Sequence, residues 1–189
     1  MPIFDHFGII APFYDRVLKS KNLERLIDLL GLPVSGMILD AGGGTGRISQ
    51  TIREFSSKVI VADISLGMLY RAASKDGLEC ICSYTEALPF SDASFDRIIM
   101  VDALHHVLNQ EKSLQELLRV LIIGGRIVIE EPDIRTTLVK AIAFAEKLAM
   151  MRSHFLSPQE IIKSYTRPNA KVRLETEKYI AWVIVDKIC

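Results

Sequence analysis

Residues 37–49, MILDAGGGTGRIS, place four glycines within five positions directly after an apolar run that ends in an aspartate. The run MILD predicts a buried strand, the glycines predict a turn, and the residues from Arg47 onward predict a helix. A strand, a glycine turn and a helix start together present backbone N–H groups to a polar ligand. We therefore expect a ligand site at this turn.

The glycine spacing distinguishes three kinds of ligand-binding turn. A phosphate-binding loop requires Gly-Lys-Ser/Thr, but Gly46 is followed by Arg47 and Ile48. A dinucleotide turn, G-x-G-x-x-G, needs its third glycine at position 47, where the arginine stands. The spacing found is G-x-G-x-G, at Gly42, Gly44 and Gly46. It argues against a nicotinamide-dependent oxidoreductase and leaves a plain strand-to-helix connection as the alternative to a ligand turn.

Asp63 ends the next apolar run, VIVAD, and 63 − 42 gives 21 residues between it and Gly42. An acidic side chain at the tip of the second strand can accept hydrogen bonds from both hydroxyls of a ribose. The alternative is a helix cap, and the spacing favours the ligand role.

Apolar runs and helical patterns alternate along the chain. KVIVAD, LECICSY, FDRIIMVD and GGRIVIEE predict strands, whereas Leu114, Leu117, Leu118 and Leu121 predict one helix face. Ser65 and Ser157 are predicted helix caps, the second followed by Pro158 at the first helical position. Uninterrupted apolar strands separated by helices predict an α/β fold with a doubly wound, mostly parallel, Rossmann-like sheet. KVRLETEKYIAWVIVDK predicts a terminal pair of strands that includes an antiparallel one.

Composition sets the domain count and the class of partner. With 189 residues, 49% of them hydrophobic, one domain is expected. Within 1–189 we predict N-terminal cap helices at 1–35, a cofactor-binding core at 36–131, and acceptor-side helices with terminal strands at 132–189. The net charge of zero argues against nucleic acid as a partner.

The sequence does not predict a membrane-spanning segment or a signal peptide. No apolar run is long enough for stable membrane insertion, and the opening MPIFDHFG lacks the features of a signal peptide. Cys80 and Cys82 share one face of a predicted strand, where two buried thiols are the simplest interpretation. We expect a soluble, cytoplasmic protein.

Further motifs follow the glycine turn in the order and at the separations of one enzyme family. They are VADISLGML, LPFSDASFD with ALHHV, and LRVLIIGGRIVI. Over residues 37–131 the chain resembles the class I S-adenosylmethionine-dependent methyltransferases. The opening FGIIAPFYDRVL is also similar to the start of the ubiquinone/menaquinone biosynthesis methyltransferase family. The resemblance implies S-adenosyl-L-methionine as the cofactor.

The resemblance also implies roles for individual residues. Asp40 and the turn glycines would shape the pocket for the amino acid end of the cofactor, and Asp63 would hold the ribose. Ile64 and Met68 would flank the adenine, with ordinary packing as the alternative. The predicted cofactor-binding set is Tyr14, Asp40, Ala41, Gly42, Gly44, Gly46, Asp63, Ile64, Met68, Thr85, Glu86, Ala87 and Val101.

The chain departs from the family before LPF. A Gly-Asp pair is usual there, and its aspartate accepts a hydrogen bond from the adenine amino group, but Ser83 and Tyr84 occupy those positions. Glu86 or the backbone near Thr85 and Ala87 could replace that contact, or Tyr84 could stack on the adenine.

Methyl transfer from a sulfonium needs proximity and exclusion of water, and a catalytic base is optional. Asp102, His105, His106 and Glu131 lie near the predicted ends of strands four and five, where the acceptor should bind. The alternative for the histidines is a bond to a neighbouring carboxylate, for which Asp102 and His106 have i, i+4 spacing. The predicted catalytic candidates are His105, His106 and Asp102.

The residues at the end of predicted strand four restrict the class of methyl acceptor. VDAL stands where enzymes that methylate nucleobase nitrogens carry Asn/Asp-Pro-Pro-Tyr, and no set of metal ligands is evident. We expect a small-molecule acceptor, no nucleic acid and no metal. Apolar residues should close the pocket of the methyl acceptor, and the alternatives for these residues are core packing or a homodimer interface. They are Phe7, Phe13, Tyr14, Phe144, Leu148, Met150 and Met151.

The hypothesis is methyl transfer from S-adenosyl-L-methionine to carbon or oxygen of a small aromatic, quinone-like or lipid-like acceptor. A natural-product N- or O-methyltransferase is the nearest alternative. A cofactor-binding protein without turnover, acting as a sensor or a structural partner, belongs to a different class and stays open.

Overall fold

A computed structural model describes residues 23–140, 153–165 and 168–189 of the chain. Seven strands form its sheet: β1 Met37–Ala41, β2 Lys58–Asp63, β3 Leu78–Cys82, β4 Phe95–Val101, β5 Leu121–Pro132, β6 Ala170–Glu177 and β7 Ile180–Lys187. The helices are α1 Leu23–Leu30, α2 Arg47–Ile52, α3 Leu66–Ala73, α4 Gln110–Val120 and α5 Pro158–Ser164. Short 3₁₀ turns at Arg53–Phe55 and Leu104–His106 extend α2 and follow β4.

The strand order is β3-β2-β1-β4-β5-β7-β6. Strands β1 to β5 pair in parallel, and β7 lies antiparallel between β5 and β6. The order reverses between β1 and β4, which lie side by side, and ligands of such sheets bind at the strand ends beside this point. The prediction of a doubly wound, mostly parallel sheet with an antiparallel strand near the C-terminus is confirmed.

The two largest hydrophobic clusters of the described residues cover the two faces of the sheet. On one face Leu26, Leu29 and Leu30 of α1 pack with strand residues that include Ile99 and Trp182. On the other face the leucines of α4 pack with α5 and with the alternate strand residues. Because both faces are buried, the central strands read as continuous apolar runs.

The predicted caps form as expected. Ser65 Oγ accepts a hydrogen bond from the Met68 amide at 3.2 Å at the start of α3. Ser157 and Glu160 form a reciprocal capping box at the start of α5, with Pro158 in the first turn. These local contacts explain why the helix starts could be found without knowledge of the tertiary structure.

Two sequence expectations are corrected. Leu121 begins β5 and does not belong to the face of α4 that carries Leu114, because the chain turns directly from helix into strand there. The two thiols are not both buried, since Cys80 is half-buried and Cys82 is exposed at the edge of the sheet. The reason is that β3 has a neighbouring strand on only one side.

Several predicted features lie outside the described residues. These are Phe7, Phe13, Tyr14, Phe144, Leu148, Met150 and Met151, together with residues 1–22 of the predicted N-terminal cap helices and residues 141–152 of the predicted acceptor-side segment. Residues 137–140 are helical. In the part of the chain that the structure describes, no helix has the length and apolar character needed to cross a membrane.

Candidate functional site

The glycine turn joins β1 to α2 and is fastened to the end of β2. The Gly42 amide donates to the Ala62 carbonyl at 2.7 Å, and the Gly43 amide reaches the same oxygen at 3.3 Å. Gly42, Gly44 and Gly46 all have positive φ, at 71°, 55° and 68°. Side chains rarely adopt this conformation, so the backbone path itself requires glycine at alternate positions.

Contacts around the turn show a second reason for the glycines. A Cβ at Gly42 would lie 2.6 Å from the Ala103 Cβ, and one at Gly46 would lie 2.8 Å from a methyl carbon of Leu78. At Gly44 the nearest atom would be the Met68 sulfur, 4.0 Å away. The protein's own packing thus excludes side chains at Gly42 and Gly46, whereas the space beside Gly44 is open.

Asp63 uses both carboxylate oxygens to hold backbone. Oδ2 accepts from the Gly44 amide at 2.9 Å, and Oδ1 accepts from the Ser65 amide at 2.8 Å. The side chain therefore ties the glycine turn to the start of α3, although Ser65 is the cap of that helix. Each carboxylate oxygen has two lone pairs, so an oxygen that accepts one hydrogen bond can accept a second.

Asp40 lies beneath the turn at the end of β1 and is 2% exposed. Its Oδ2 accepts from Ser49 Oγ at 2.6 Å. Burial raises the pKa of Asp40 to about 6, against the lowering effects of the Ser49 bond and of the Arg47 charge. A buried carboxylate of this kind favours a cationic group placed above it.

A cleft opens over the turn. Its lining residues are Asp40, Gly42, Gly43, Gly44, Arg47, Ile48 and Val101. Ala41 is buried in β1 beneath it. The cleft lies at the carboxyl ends of β1 and β4, which is where the sheet topology places a ligand.

More carboxylates stand beyond the cleft at the ends of β4 and β5. Burial raises the pKa of Asp102 to about 6, and the negative charge of Glu131 adds to the rise. Burial likewise raises the pKa of Glu130 to about 7, although Glu130 accepts from the Trp182 indole at 2.7 Å. This end of the sheet is therefore acidic, with Arg47 and His105 as nearby basic groups.

His105 and Glu131 form a buried pair. Nδ1 of His105 lies 2.6 Å from Oε2 of Glu131, and Oε1 of Glu131 accepts from the Ala103 and Leu104 amides. The His105 ring stacks on Phe155, with centroids 4.3 Å apart. A carboxylate that accepts from two amides assigns the Nδ1 proton to His105, so Nε2 is the nitrogen that can accept a proton.

His106 occupies a different environment. Its Nδ1 lies 3.3 Å from Ser153 Oγ, and its ring lies 4.0 Å from that of His105. Burial lowers the pKa of His106 to about 3, and the neighbouring His105 adds to the fall. This low pKa makes the imidazole of His106 a weak proton acceptor, although it is uncharged at neutral pH.

The residues expected near an adenine lie in the segments that follow β2 and β3. Met68 is buried in α3, and Ile64 directly follows β2. Glu86 accepts from the Asn109 amide at 3.1 Å, and the Ala87 amide donates to the Tyr84 carbonyl at 3.2 Å. Both groups thus have partners within the protein.

Thr85 is buried and Tyr84 is 41% exposed. Of the alternatives for the missing Gly-Asp pair, stacking would use the exposed Tyr84 ring, whereas the Glu86 carboxylate already accepts one hydrogen bond and keeps lone pairs for another.

The structure gathers most of the predicted site at one sheet edge and adds residues that sequence reasoning missed. Ser49 holds Asp40, and Trp182 holds Glu130. Ser49 lies on a short helix only nine residues after Asp40, so this contact could have been predicted from the local sequence. Trp182 lies 52 residues after Glu130 and could not be paired with it without the β5–β7 register.

Comparison with known proteins gives matches over this same region. The family model described as a methyltransferase domain matches residues 39–129. The chain is 43% identical over 136 residues to a demethylmenaquinone methyltransferase of Clavibacter sepedonicus, covering 66% of this chain and 56% of the relative. It is 33% identical over 142 residues to a ubiquinone/menaquinone biosynthesis C-methyltransferase of Hahella chejuensis, covering 66% and 57%.

The chain thus spans little more than half the length of the curated relatives it matches. The structure is also similar to that of a SAM-dependent methyltransferase from Thermotoga maritima, with a TM-score of 0.80 and 21% identity. That similarity covers 96% of this chain and 98% of the other, and it shows a shared fold.

Proposed function

We propose that the chain transfers a methyl group from S-adenosyl-L-methionine to carbon or oxygen of a small aromatic, quinone-like or lipid-like acceptor, on the premise that its residues 39–129 match the model of a methyltransferase domain. The resemblance inferred from the sequence motifs is confirmed by the family model and the curated relatives. The acceptor and the residue roles are parts of the proposal.

The observation that carries the proposal is the cleft over the glycine turn. The open space beside Gly44 would hold part of the bound cofactor, and the Asp63 carboxylate would accept hydrogen bonds from the ribose hydroxyls. Asp40 lines the cleft and Asp102 follows β4 beyond it, and both supply negative charge that would stabilise an ammonium or sulfonium. The donor and acceptor groups therefore fit a ligand with a ribose at one end and cationic groups at the other.

When bound, the cofactor supplies a methyl carbon activated by its positively charged sulfur. The chain's own part is to hold the two reactants in line and to exclude water. His105 is the residue that we assign to accept a proton from an acceptor hydroxyl, because Glu131 fixes its ring and tautomer. Asp102 would contribute charge close to the transferred group.

The acceptor class rests on the relatives and on the chemistry of the predicted pocket. One relative is named as a ubiquinone/menaquinone biosynthesis C-methyltransferase and the other as a demethylmenaquinone methyltransferase. Apolar residues at 144–151 and near 7–14 would suit an aromatic or isoprenoid-like molecule, and their alternatives remain core packing or a homodimer interface.

A second candidate is a protein that binds the cofactor without turnover, as a sensor or as the partner of another subunit. The observation that favours it is the replacement of the family's Gly-Asp pair by Ser83 and Tyr84, together with the commitment of Glu86 to Asn109.

The experiment begins with calorimetric titration of the purified chain with S-adenosylhomocysteine, and with NADH as a control. The proposal expects micromolar binding of the first and none of the second. A panel of reduced quinones and phenols is then incubated with S-adenosyl-L-methionine, and formation of S-adenosylhomocysteine is measured. Binding without turnover on every acceptor would favour the second candidate, and absence of binding would refute the cofactor assignment.

A further inference from the structure

Arg47 is the first residue of α2 and lines the cleft. Its Nε and Nη1 atoms are buried, and neither has a hydrogen-bond partner in the part of the chain that the structure describes. A guanidinium carries five N–H donors and remains charged at every physiological pH. Buried donors without acceptors are rare, so two on one side chain that borders a cleft indicate a missing acceptor.

Neighbouring carboxylates do not satisfy these donors. The positive charge of Arg47 lowers the pKa of Asp40, Asp102 and Glu130, so the guanidinium is close enough to interact with all three. None of the three accepts a hydrogen bond from it among the described residues. Oδ2 of Asp40 is bonded to Ser49, and Oε2 of Glu130 to Trp182. The acids hold the positive charge in place and leave its directional donors for another group.

The chemistry of the proposed cofactor identifies that group. S-adenosyl-L-methionine carries an ammonium, a sulfonium and one anion, which is the α-carboxylate. In a cleft that Asp40 lines, with Asp102 beyond it, a ligand carboxylate would be repelled unless a cation received it. We propose that Arg47 binds the α-carboxylate of the cofactor, so that the chain selects ligands that keep this group. The proposal rests on the proposed function and deepens it.

Arg47 and Asp40 would then read the amino acid end of the cofactor as a zwitterion. The guanidinium would donate to the carboxylate in charge-assisted hydrogen bonds, and the acids would face the ammonium. A lysine at position 47 would keep the charge and lose the planar donor set. A glutamine would lose the charge.

The test compares three ligands that differ at this end: S-adenosylhomocysteine, its decarboxylated analogue, which keeps the amine, and 5′-methylthioadenosine, which lacks the amino acid end. Dissociation constants are measured calorimetrically for the wild type, Arg47→Gln, Arg47→Lys and the control Arg53→Gln. Arg53 bonds to the Asp76 carbonyl outside the cleft, which makes it a matched control on the same segment. Thermal melting without ligand verifies that each variant is folded.

The wild type should bind S-adenosylhomocysteine at least tenfold more tightly than the decarboxylated analogue. Arg47→Gln should remove most of that preference, Arg47→Lys should keep part of it, and 5′-methylthioadenosine should bind all variants within about twofold of the wild type. Equal affinity of the wild type for the first two ligands, or an equal loss for all three ligands in Arg47→Gln, would overturn the role of Arg47 while leaving the methyltransferase proposal intact. Failure of the wild type to bind S-adenosylhomocysteine would refute both.

Discussion

Glu131 and His105 form a hydrogen-bonded pair of 2.6 Å between Oε2 and Nδ1, and the two side chains are only 6% and 5% exposed. The other oxygen of Glu131 accepts from the amides of Ala103 and Leu104, the residues that lead into the 3₁₀ turn after β4. One carboxylate therefore fixes both the backbone of this turn and the tautomer of the imidazole. The conformation of the turn and the protonation of His105 are thus coupled.

Replacement of Glu131 by Gln should disturb this pair. The amide nitrogen of glutamine is a donor and would face the Nδ1 proton of His105, so one of the two bonds must be lost or the tautomer must change. We expect the free energy of unfolding to fall by about 1 to 3 kcal/mol. Urea denaturation measures the loss, and ¹⁵N chemical shifts of the imidazole report the tautomer.

The control for this variant is Glu79→Gln, whose carboxylate pairs with Lys58 on the surface. Exposed pairs contribute little, so its unfolding free energy should change by less than about 1 kcal/mol. If Glu131→Gln leaves both the stability and the His105 tautomer unchanged, the pair does not control the turn. If His105 is the base, Glu131→Gln should also reduce kcat without weakening the binding of S-adenosylhomocysteine.

Asp63→Ala should weaken cofactor binding and stability together. The variant loses the acceptors for the Gly44 and Ser65 amides and also those assigned to the ribose. We expect a loss of about 1 to 3 kcal/mol in binding of S-adenosylhomocysteine. The ribose role is isolated by repeating the titration with the 2′,3′-dideoxy analogue, whose affinity should fall much less in the variant than that of the parent ligand. Equal losses for both would assign Asp63 to the turn alone.

The sequence was sufficient for the parts of the fold that local interactions determine. Ser65 and Ser157 cap their helices through residues three positions away, and KVIVAD forms β2 with the predicted limits. Contacts within a few residues leave a pattern that can be read along the chain. The parallel strands were equally visible because burial of both sheet faces leaves uninterrupted apolar runs.

The parts that sequence reasoning missed depend on tertiary contacts or on unusual backbone. The turn between β6 and β7 contains Lys178 with φ of 54°, a conformation for which glycine or asparagine is the usual sequence signal. In the site, the carboxylate that pairs with a histidine is Glu131, 26 residues from His105 in sequence. The unpartnered donors of Arg47 emerge only when the surrounding acids are placed.

The glycine turn yields a prediction that separates packing from ligand contact. Gly46→Ala would add a Cβ 2.8 Å from Leu78 in a residue with φ of 68°, so backbone and packing strain should together cost roughly 2 to 4 kcal/mol of stability. Gly44→Ala meets no atom closer than 4.0 Å and should cost only the backbone term of about 1 kcal/mol.

The affinity for S-adenosylhomocysteine should show the reverse order, with a larger loss in Gly44→Ala than in Gly46→Ala. The Cβ of Gly44→Ala would occupy the open space in the cleft and should lower the affinity for S-adenosylhomocysteine by about tenfold or more, as expected when a methyl group costs over 1 kcal/mol in a tight contact. Gly124→Ala is the control, because Gly124 also has positive φ, at 79°, with no atom within 4 Å of the added Cβ. Unchanged affinity in Gly44→Ala would mean that the ligand does not approach this residue.

The ionisation of Glu130 makes the free energy of unfolding depend on pH. Burial raises its pKa from 4.5 to about 7, so the folded state holds the proton more tightly than the unfolded state. The stability that Glu130 contributes is therefore complete below about pH 4.5 and is lost as the pH rises through about 7. Glu130→Gln keeps an acceptor for the Trp182 indole and cannot ionise.

As the pH rises from 4.5 to 7, the unfolding free energy of Glu130→Gln should increase relative to that of the wild type by up to about 3 kcal/mol. Above pH 8 this difference should be constant. The fall in the pKa of His106 affects stability in the opposite direction, but it is present in both proteins and cancels in the difference. Urea denaturation at several pH values measures it, with the surface variant Glu177→Gln as control. A constant difference across the whole range would show that Glu130 ionises normally in the folded protein.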